Sequence, residues 1–343
     1  MTQRSPRRAT APDAIDITVI ICTRNRAARL RNVLQSLTEL KQPPGLRWEV
    51  VVVDNGSSDN TQEVALSFRD RLSIRVIREE QAGLSNARNR GVAEARGAYI
   101  CWTDDDLVLD ENWLAAYAAA FKRHPEAAIF GGRITPVLEA PTPRWFARFA
   151  DEWPLTTLLA KRDFGDDIIP LGFADNAVPW GANFAVRTAE QRLAPYEPGL
   201  GVSPLQKRLG EESEVIFRII ESGGVGWWVP DSKVQHIIPV QRQTWRYVFE
   251  YFQAYGETVA YMERTWPGAH HMAANEREMA RVAGGPLSLY ARAALNGAVF
   301  AAAWLLGATG RSLKSLMKTG FYVGAAQIAA APPAASRPRA ASL

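Results

Sequence analysis

Cysteine and histidine are scarce in this sequence, and neither sign of charge is in strong excess. Its 343 residues include two cysteines and four histidines, too few for a disulfide framework or a cysteine-rich zinc cluster. Cys22 and Cys101 each lie in an apolar run, so we expect free, buried thiols in a reducing compartment. The 40 Lys and Arg against 36 Asp and Glu leave a net charge of +4, with no basic stripe in the body of the chain. We therefore expect no nucleic acid among the partners.

A secretory leader is missing as well, and the case for a membrane span is weak. No apolar core follows the polar start, so residues 1–14 are expected to form a disordered tail, as is the Pro/Ala/Ser-rich segment 329–343. Residues 293–310 are 18 uncharged residues between Arg292 and Arg311, at the short limit for a span. A buried or helix-pairing segment, an interfacial helix beside anionic lipid and a true span all remain open. The expected location is the cytoplasm, with contact to the inner face of a membrane left open.

Glycine-rich phosphate-binding loops are also missing, since neither G-x-x-x-x-G-K-[ST] nor G-x-G-x-x-G occurs. What is present is an alternation of strand and helix patterns. Continuous apolar, β-branched runs predict strands at residues 15–23, 48–55, 72–79 and 98–103. After the first of them, five residues share one face of a predicted helix: Leu30, Val33, Leu34, Leu37 and Leu40. This pattern predicts βαβ units in a mostly parallel sheet with helices on both faces.

A polar cluster follows three of these predicted strands. The clusters are Thr23-Arg24-Asn25, Asp54-Asn55-Gly56-Ser57 and Asp104-Asp105-Asp106. In open sheets of this kind, ligands bind beyond the carboxyl ends of the strands, so we expect the three clusters to surround one site. The second cluster alone is equally typical of a turn.

The three consecutive aspartates need an explanation, because adjacent carboxylates repel one another. A solvated loop before a helix is one interpretation, and Asp110 with Glu111 suits a helix start, but that does not account for the triplet. A divalent cation, Mg²⁺ or Mn²⁺, accepts one or two carboxylates and completes its shell with phosphate oxygens and water. Its charge also keeps clustered carboxylates ionised. We therefore expect a metal–diphosphate site here.

Five segments, in this order, resemble family 2 glycosyltransferases, which transfer a sugar from a nucleotide-diphosphate donor. They are TVIICTRNRAARL, VVVDNGSSDNT, GLSNARNRGVAEARGAYICWTDDD, GANFAVR and LGEESEVIFRIIESGGVGWWVPDSKVQH, and they extend over roughly residues 15–236. The resemblance implies an α/β fold of GT-A type, with a Rossmann-like mixed, mostly parallel sheet flanked by helices. It implies a catalytic domain at residues 15–240 and a helical C-terminal extension at 241–328, which is the candidate for membrane contact.

A nucleotide-binding role follows from the resemblance for five residues. Asp54 corresponds to the family's nucleoside-binding aspartate, and Thr23 and Arg24 lie in its first nucleotide-contacting loop. Arg88 is expected to counter phosphate charge, although arginines on helices are as often solvated. Asp104 completes this set.

For the divalent cation, Mn²⁺ or Mg²⁺, the resemblance implies three ligands. When the aspartates are aligned with the family's D-x-D-D segment, Thr103 replaces the usual first aspartate and Asp105 becomes the preferred metal ligand. Asp106 is the second candidate. His236 stands where many members present a histidine to the metal or the diphosphate.

Catalysis is assigned, by the same resemblance, to an acidic pair. Glu212 takes the position of the family's general base and is one methylene longer than the usual Asp; Glu211 remains the alternative. Trp180 and Asn183 lie in the segment that faces the acceptor. The implied activity is inverting transfer to a hydroxyl of a sugar, a lipid-linked sugar or another acceptor, in polysaccharide or glycoconjugate synthesis. A nucleotidyltransferase and a non-catalytic sugar-nucleotide-binding protein are the alternatives.

Overall fold

One sheet organises the first two thirds of the chain. The computed structural model describes residues 14–172, 177–266, 282 and 284–331, so that nearly all of both expected disordered tails lies outside the described residues. The strands within these ranges are β1 (Ile17–Thr23), β2 (Trp48–Asp54), β3 (Ile74–Arg78), β4 (Tyr99–Thr103), β5 (Leu107–Leu109), β6 (Ile129–Leu138), β7 (Asn183–Arg187) and β8 (Gly226–Ile238). They form a single sheet in the order β3-β2-β1-β4-β7-β6-β8-β5.

Strands β3, β2, β1 and β4 are mutually parallel and coincide with the four predicted strands. Both faces of β1 are buried, because Val19 and Ile21 belong to one core cluster and Ile20 to the other, which explains the continuous apolar run. β7 runs antiparallel to both of its neighbours, β6 and β8 are parallel to each other, and β5 is a short antiparallel edge strand. The predicted mixed, mostly parallel sheet is confirmed.

Helices cover both faces of this sheet. They are α1 (Ala27–Thr38), α2 (Thr61–Leu66), α3 (Leu84–Glu94), α4 (Trp113–Arg123), α5 (Arg144–Phe149), α6 (Leu155–Leu158), α7 (Thr188–Leu193) and α8 (Glu211–Glu221). Side chains of α1 and α4 belong to one core cluster, and side chains of α3 and α8 to the other. All five residues of the predicted stripe around α1 are buried. The helix therefore packs on the sheet through the face that the sequence predicts.

A helical extension follows β8 and confirms the predicted C-terminal helices. It contains α9 (Trp245–Thr265), α10 (Pro286–Leu305) and α11 (Thr309–Ala330). α9 and α11 are in backbone contact, since a Cβ added to Gly256 would lie 2.0 Å from the Phe321 carbonyl oxygen, and one on Gly324 would lie 2.0 Å from the Gln253 oxygen. Among the described helices, none has the length and apolar content that crossing a bilayer requires.

Candidate functional site

The predicted polar clusters meet at one edge of the sheet. A cleft of about 590 Å³ opens at the carboxyl ends of β1 and β4, and one residue or more of each cluster lines it. Its walls are formed by Cys22, Thr23, Arg24, Arg26, Asn55, Gly83, Leu84, Ala87, Asp104, Asp105, Asp106, Val202, Ser203, Pro204, His236 and Arg242. The parallel register pairs Thr23 with Asp54, so the first two clusters lie side by side.

Asp105 points toward the end of β1. Its carboxylate accepts hydrogen bonds from the Thr23 hydroxyl at 2.7 Å and from the Arg26 guanidinium at 2.7 Å, and only 5% of the residue is exposed. Burial raises the pKa of Asp105 to about 6, although the charge of Arg26 acts in the opposite direction. Both carboxylate oxygens are therefore engaged inside the protein.

Asp106 points toward β8. Its carboxylate lies 3.1 Å from Arg242 and 3.2 Å from Arg26, and 3.7 Å from Nε2 of His236. Burial alone would raise its pKa, but His236 and the two arginines outweigh that effect and hold the pKa of Asp106 well below its usual range. Asp106 is thus a carboxylate that stays ionised while buried.

His236 is placed beside this carboxylate by the pairing of β5 with β8, which aligns Leu107 with His236. Its Nδ1 lies 2.9 Å from the Leu159 carbonyl oxygen. Because a carbonyl only accepts, Nδ1 carries a proton and donates it there. The other ring nitrogen, Nε2, faces Asp106 and Arg242. A backbone carbonyl on the far nitrogen is a common way to orient a metal-binding imidazole.

The fit of the predicted cation can be tested on these contacts. Among the described residues, no three His, Cys, Asp or Glu side chains are gathered into a group that could hold a metal ion. The reason is visible at Asp105 and Asp106, whose oxygens are paired with Arg26 and Arg242. The donor atoms themselves, carboxylate oxygens and one imidazole nitrogen, suit Mn²⁺. These donor atoms are therefore of the right kind for the ion. In this structure the positive charges of Arg26 and Arg242 balance the carboxylates that the ion would otherwise balance.

Arg88 connects the cleft to the acidic pair. It is 4% exposed, and its Nη2 lies 3.6 Å from both Asp104 and Glu211. Its guanidinium lies over the rings of Trp102 and Tyr196, while Nη1 has no hydrogen-bond partner among the described residues. The sequence left open whether Arg88 is solvated; it is a buried cation between two carboxylates.

The acidic pair begins α8, directly after Gly210, whose φ is +81°. Glu211 is buried, and burial, together with the neighbouring charge of Glu212, raises its pKa to about 8. Glu212 is only half-buried and lies against Gly181, where an added Cβ would come within 2.9 Å of its Cδ. Of the two residues, Glu212 is the more exposed, and neither of them is among the residues that line the cleft.

Three predicted site residues differ in their exposure. Arg24 is exposed and lines the cleft. Asp54 is fully buried; its carboxylate accepts from the Ser57 amide at 2.9 Å and from Gln62. In this structure Asp54 therefore shapes the turn beside the cleft and does not line it. Trp180 is half-buried, next to Gly181, with the guanidinium of Arg162 4.7 Å from its ring.

Asn183 corrects an expectation. It is fully buried, and its amide nitrogen donates to the carbonyl oxygens of Arg133 and Ser232. Its oxygen accepts from Trp113 Nε1 and the Tyr117 hydroxyl, each at 2.8 Å. All four hydrogen-bonding positions of the side chain are used inside the core, so Asn183 does not face an acceptor.

Two site residues, Arg26 and Arg242, escaped the sequence analysis. Both contact Asp106, but each comes from a different part of the chain, just before α1 and just after β8. Arginines are common in both segments, and nothing in their spacing distinguishes these two. Only the triplet of aspartates, which requires nearby positive charge, hints that such residues exist.

Comparisons with known proteins point to glycosyltransferases. Residues 18–178, just under half of the chain, match the sequence model described as Glycosyl transferase family 2. This part of the chain is therefore similar to a family 2 glycosyltransferase domain. The chain is 38% identical over 101 residues to the glycosyltransferase AglE of Haloferax volcanii, covering 29% of this chain and 33% of that protein. It is 26% identical over 247 residues to the pre-mycofactocin glycosyltransferase of Mycobacterium tuberculosis, covering 71% and 47%. The matched part is thus less than half of either relative's length.

The chain also has solved structural neighbours. The mannosyltransferase PcManGT from Pyrobaculum calidifontis, in complex with GDP-Man and Mn²⁺, aligns with a TM-score of 0.58 at 19% identity. The alignment covers 95% of this chain and 90% of that one. At such identity the likeness establishes the fold, and the predicted GT-A type α/β fold is confirmed.

Proposed function

We propose that this protein is an inverting glycosyltransferase that moves a sugar from a nucleotide-diphosphate donor to an acceptor hydroxyl. The observation that carries the proposal is the contact of Arg88 with both Asp104 and Glu211. Arg88 connects a cleft whose arginine side chains suit a diphosphate with the acidic pair Glu211 and Glu212, which can accept a proton. Single displacement needs both ends of this arrangement, because the acceptor attacks the anomeric carbon from the side opposite the leaving diphosphate.

Glu212 acts as the general base in this proposal. Its carboxyl group is half-buried and beside Gly181, close to the segment that contains Trp180. The carboxylate removes the proton of the acceptor hydroxyl as the new glycosidic bond forms. Glu211, whose pKa is raised to about 8 by burial, is protonated for much of the time near neutral pH and is the weaker candidate.

The donor is held, in this proposal, by the cleft. Thr23, Arg24 and Asp104 contact the nucleotide, and Arg88 opposes the charge of its diphosphate, while Asp54 supports the turn at residues 55–57. Asp106 and His236 would hold a divalent cation, Mn²⁺ or Mg²⁺, with Asp105 as a further carboxylate. Bound there, the ion offsets negative charge on the departing diphosphate. Asp106 ranks above Asp105 because its carboxylate faces the Nε2 of His236.

The proposal also includes the bounds of the catalytic domain, the acceptor and the cellular location. The catalytic domain comprises residues 15–240, and the acceptor is a hydroxyl on a sugar, a lipid-linked sugar or a related molecule, with Trp180 on its side of the site. Polysaccharide or glycoconjugate synthesis is the process that such a reaction serves. We place the protein in the cytoplasm, at the inner face of a membrane, with residues 241–328 toward the lipid.

The test is a donor screen followed by product analysis. Thermal shifts with UDP-, GDP- and TDP-sugars, each with Mn²⁺, identify the donor, because a bound ligand raises the apparent stability. The chosen donor is then incubated with the enzyme, and proton NMR reads the anomeric configuration of the first product formed. Inversion supports the proposal. Retention, pyrophosphate exchange or absence of any donor turnover contradicts it.

A further inference from the structure

The outward face of α10 is apolar and exposed. Leu295, Leu305 and Leu306 have 67%, 85% and 82% of their surface exposed, and Trp304 has 52%. Only Leu289, Ala293 and Ala303 of this helix are buried. The exposed leucines fall in an uncharged stretch, residues 293–310, so no charged side chain of that stretch interrupts the face.

Such a face is unusual on a helix that borders water. Surface helices normally carry polar residues on the side away from the core, and single exposed leucines need no explanation. A contiguous patch of them marks a surface that contacts another apolar phase or molecule. Because burial of a leucine side chain away from water is favourable, leaving this face in water is unfavourable.

The two helices that carry and follow this patch are basic. Between residues 284 and 331 the sequence contains Arg292, Arg311, Lys314 and Lys318 and no Asp or Glu. Arg311, Lys314 and Lys318 are spaced by three and four residues in α11, so they share one helical face. All three are exposed. The short hairpin formed by α10 and α11 therefore combines exposed leucines with exposed basic residues on α11.

An aromatic cluster supports the same end of α10. The ring of Trp304 lies edge-on to Trp245 at 5.1 Å, and Trp245 stacks on Trp145 at 4.1 Å. Trp304 is thus anchored to the protein on one side and exposed on the other. Tryptophan in this situation is typical of the boundary between water and lipid.

We propose that this hairpin docks on an anionic phospholipid surface. Leu295, Leu305 and Leu306 enter the boundary between headgroups and acyl chains, and the basic residues of α11 contact lipid phosphates. A second copy of the chain suits the surface less well, because a symmetric contact would bring the same basic residues against each other. This inference deepens the membrane-side placement proposed above, for which it names the surface and the lipid charge.

Vesicle flotation of the full chain tests it. Wild type is mixed with vesicles of phosphatidylcholine alone and of an equal mixture with phosphatidylglycerol, at low and high salt. The apolar variant combines Leu295→Gln, Leu305→Gln and Leu306→Gln, and Leu193→Gln, a leucine 58% exposed on α7, is its control. The charge variant combines Arg311→Gln with Lys318→Gln, and Lys122→Gln with Arg123→Gln at the end of α4 is its matched control.

We expect wild type to float with the anionic vesicles and to be released by salt. Each basic residue near a charged surface contributes about a fivefold change in partitioning, so the charge variant should lose roughly 30-fold. The apolar variant should lose at least about tenfold. Both controls should float like wild type, and circular dichroism should show the same fold in all variants.

Three results would overturn the inference. They are absence of flotation in wild type, equal flotation with neutral and anionic vesicles, and a wild-type dimer that the leucine substitutions dissociate. UDP and GDP binding by the same variants, measured without vesicles, separates this inference from the proposed function. Unchanged nucleotide binding without flotation rejects the docking surface alone, whereas flotation without nucleotide binding rejects the donor site alone.

Discussion

The carboxylate of Asp106 lies 3.7 Å from Nε2 of His236, at the point where the short edge strand β5 pairs with β8. This relationship decides which aspartate of the triplet is the strongest candidate for a metal ligand. Asp105, its neighbour in the turn between β4 and β5, bonds to Thr23 and Arg26 and has no such contact with His236 among the described residues. Arg26 contacts both carboxylates, so the contact with His236 is what distinguishes Asp106.

The first prediction compares these two aspartates. Asp106→Asn should lower the affinity for a nucleotide diphosphate in Mn²⁺ buffer by about 10- to 100-fold, because it would remove a carboxylate proposed to hold the cation. Asp105→Asn should cost less, since both of its carboxylate oxygens are engaged by Thr23 and Arg26. Isothermal titration calorimetry measures both. An Asp105→Asn loss larger than the Asp106→Asn loss would restore Asp105 as the principal ligand.

A second prediction concerns the arginine that pairs with both carboxylates. Arg26→Gln leaves Asp105 and Asp106 with less positive charge, so the protein should lose roughly 1–2 kcal/mol of stability in EDTA, a modest amount because Arg26 is partly exposed. Added Mn²⁺ should recover this loss and raise the Tm of the variant more than that of wild type. Arg31→Gln, on the exposed side of α1, is the control. Equal manganese shifts in all three proteins would argue against a cation at this position.

The buried member of the acidic pair predicts a pH dependence of stability. Burial raises the pKa of Glu211 from 4.5 to about 8, so the folded state binds its proton more tightly than the unfolded state does. The stability linked to this proton is complete below about pH 4.5 and is lost as the pH rises through about 8. Glu211→Gln should therefore flatten the fall in unfolding free energy between those values. Urea titrations at several pH values measure it, and Glu63→Gln on the exposed side of α2 should leave the wild-type slope unchanged.

Gly181 gives a test of how Glu212 is positioned. An added Cβ would lie 2.9 Å from the Glu212 carboxyl carbon, so Gly181→Ala should displace the proposed base. Displacement of about 1 Å is enough to reduce kcat by as much as 100-fold. The same Cβ would lie 3.1 Å from Nη2 of Arg88, so nucleotide affinity is measured alongside kcat. Gly172→Ala is the matched control, since nothing lies within 4 Å of its added Cβ. Wild-type kcat in Gly181→Ala would show that Glu212 does not act from its observed position.

Two glycines of the C-terminal helices should respond in opposite directions. Gly256→Ala would force a Cβ to within 2.0 Å of the Phe321 oxygen, so α9 and α11 must separate and the stability should fall by about 1–3 kcal/mol. Gly297→Ala meets nothing closer than 3.9 Å and should raise it by about 0.4–1 kcal/mol through a lower entropy of the unfolded chain. Thermal unfolding of both variants checks the pair. Two variants of equal stability would contradict this packing.

Much of the fold is predictable because the parallel strands are buried on both faces. Such strands read as uninterrupted apolar runs, and β1 and β2 stand out for that reason, whereas β3 alternates apolar residues with Arg75 and Arg78. β5 has three residues, too few to show a period, and its existence depends on pairing with a strand far along the chain. The position of the site followed from the strand ends alone, since parallel strands deliver Thr23, Asp54 and Asp104 to one edge.

The composition of the site was less predictable because it depends on long-range pairing. Arg26 and Arg242 neutralise Asp106 from opposite ends of the domain, and no local pattern records that contact. Asn183 is a residue for which the sequence predicts too much. It is polar and lies in a segment that resembles a family motif, so the sequence predicts contact with a ligand. Its four hydrogen bonds are all internal, and only the packing of Trp113 and Tyr117 reveals this.

Donor turnover by Glu212→Gln, with Mn²⁺ and the nucleotide sugar that the donor screen identifies, tests the central claim most directly. The amide keeps nearly the same shape but accepts no proton, so sugar transfer or donor hydrolysis should fall by about 10²- to 10⁴-fold. Nucleotide affinity should stay at the wild-type value. Turnover of Glu212→Gln at a rate near that of wild type would contradict the account.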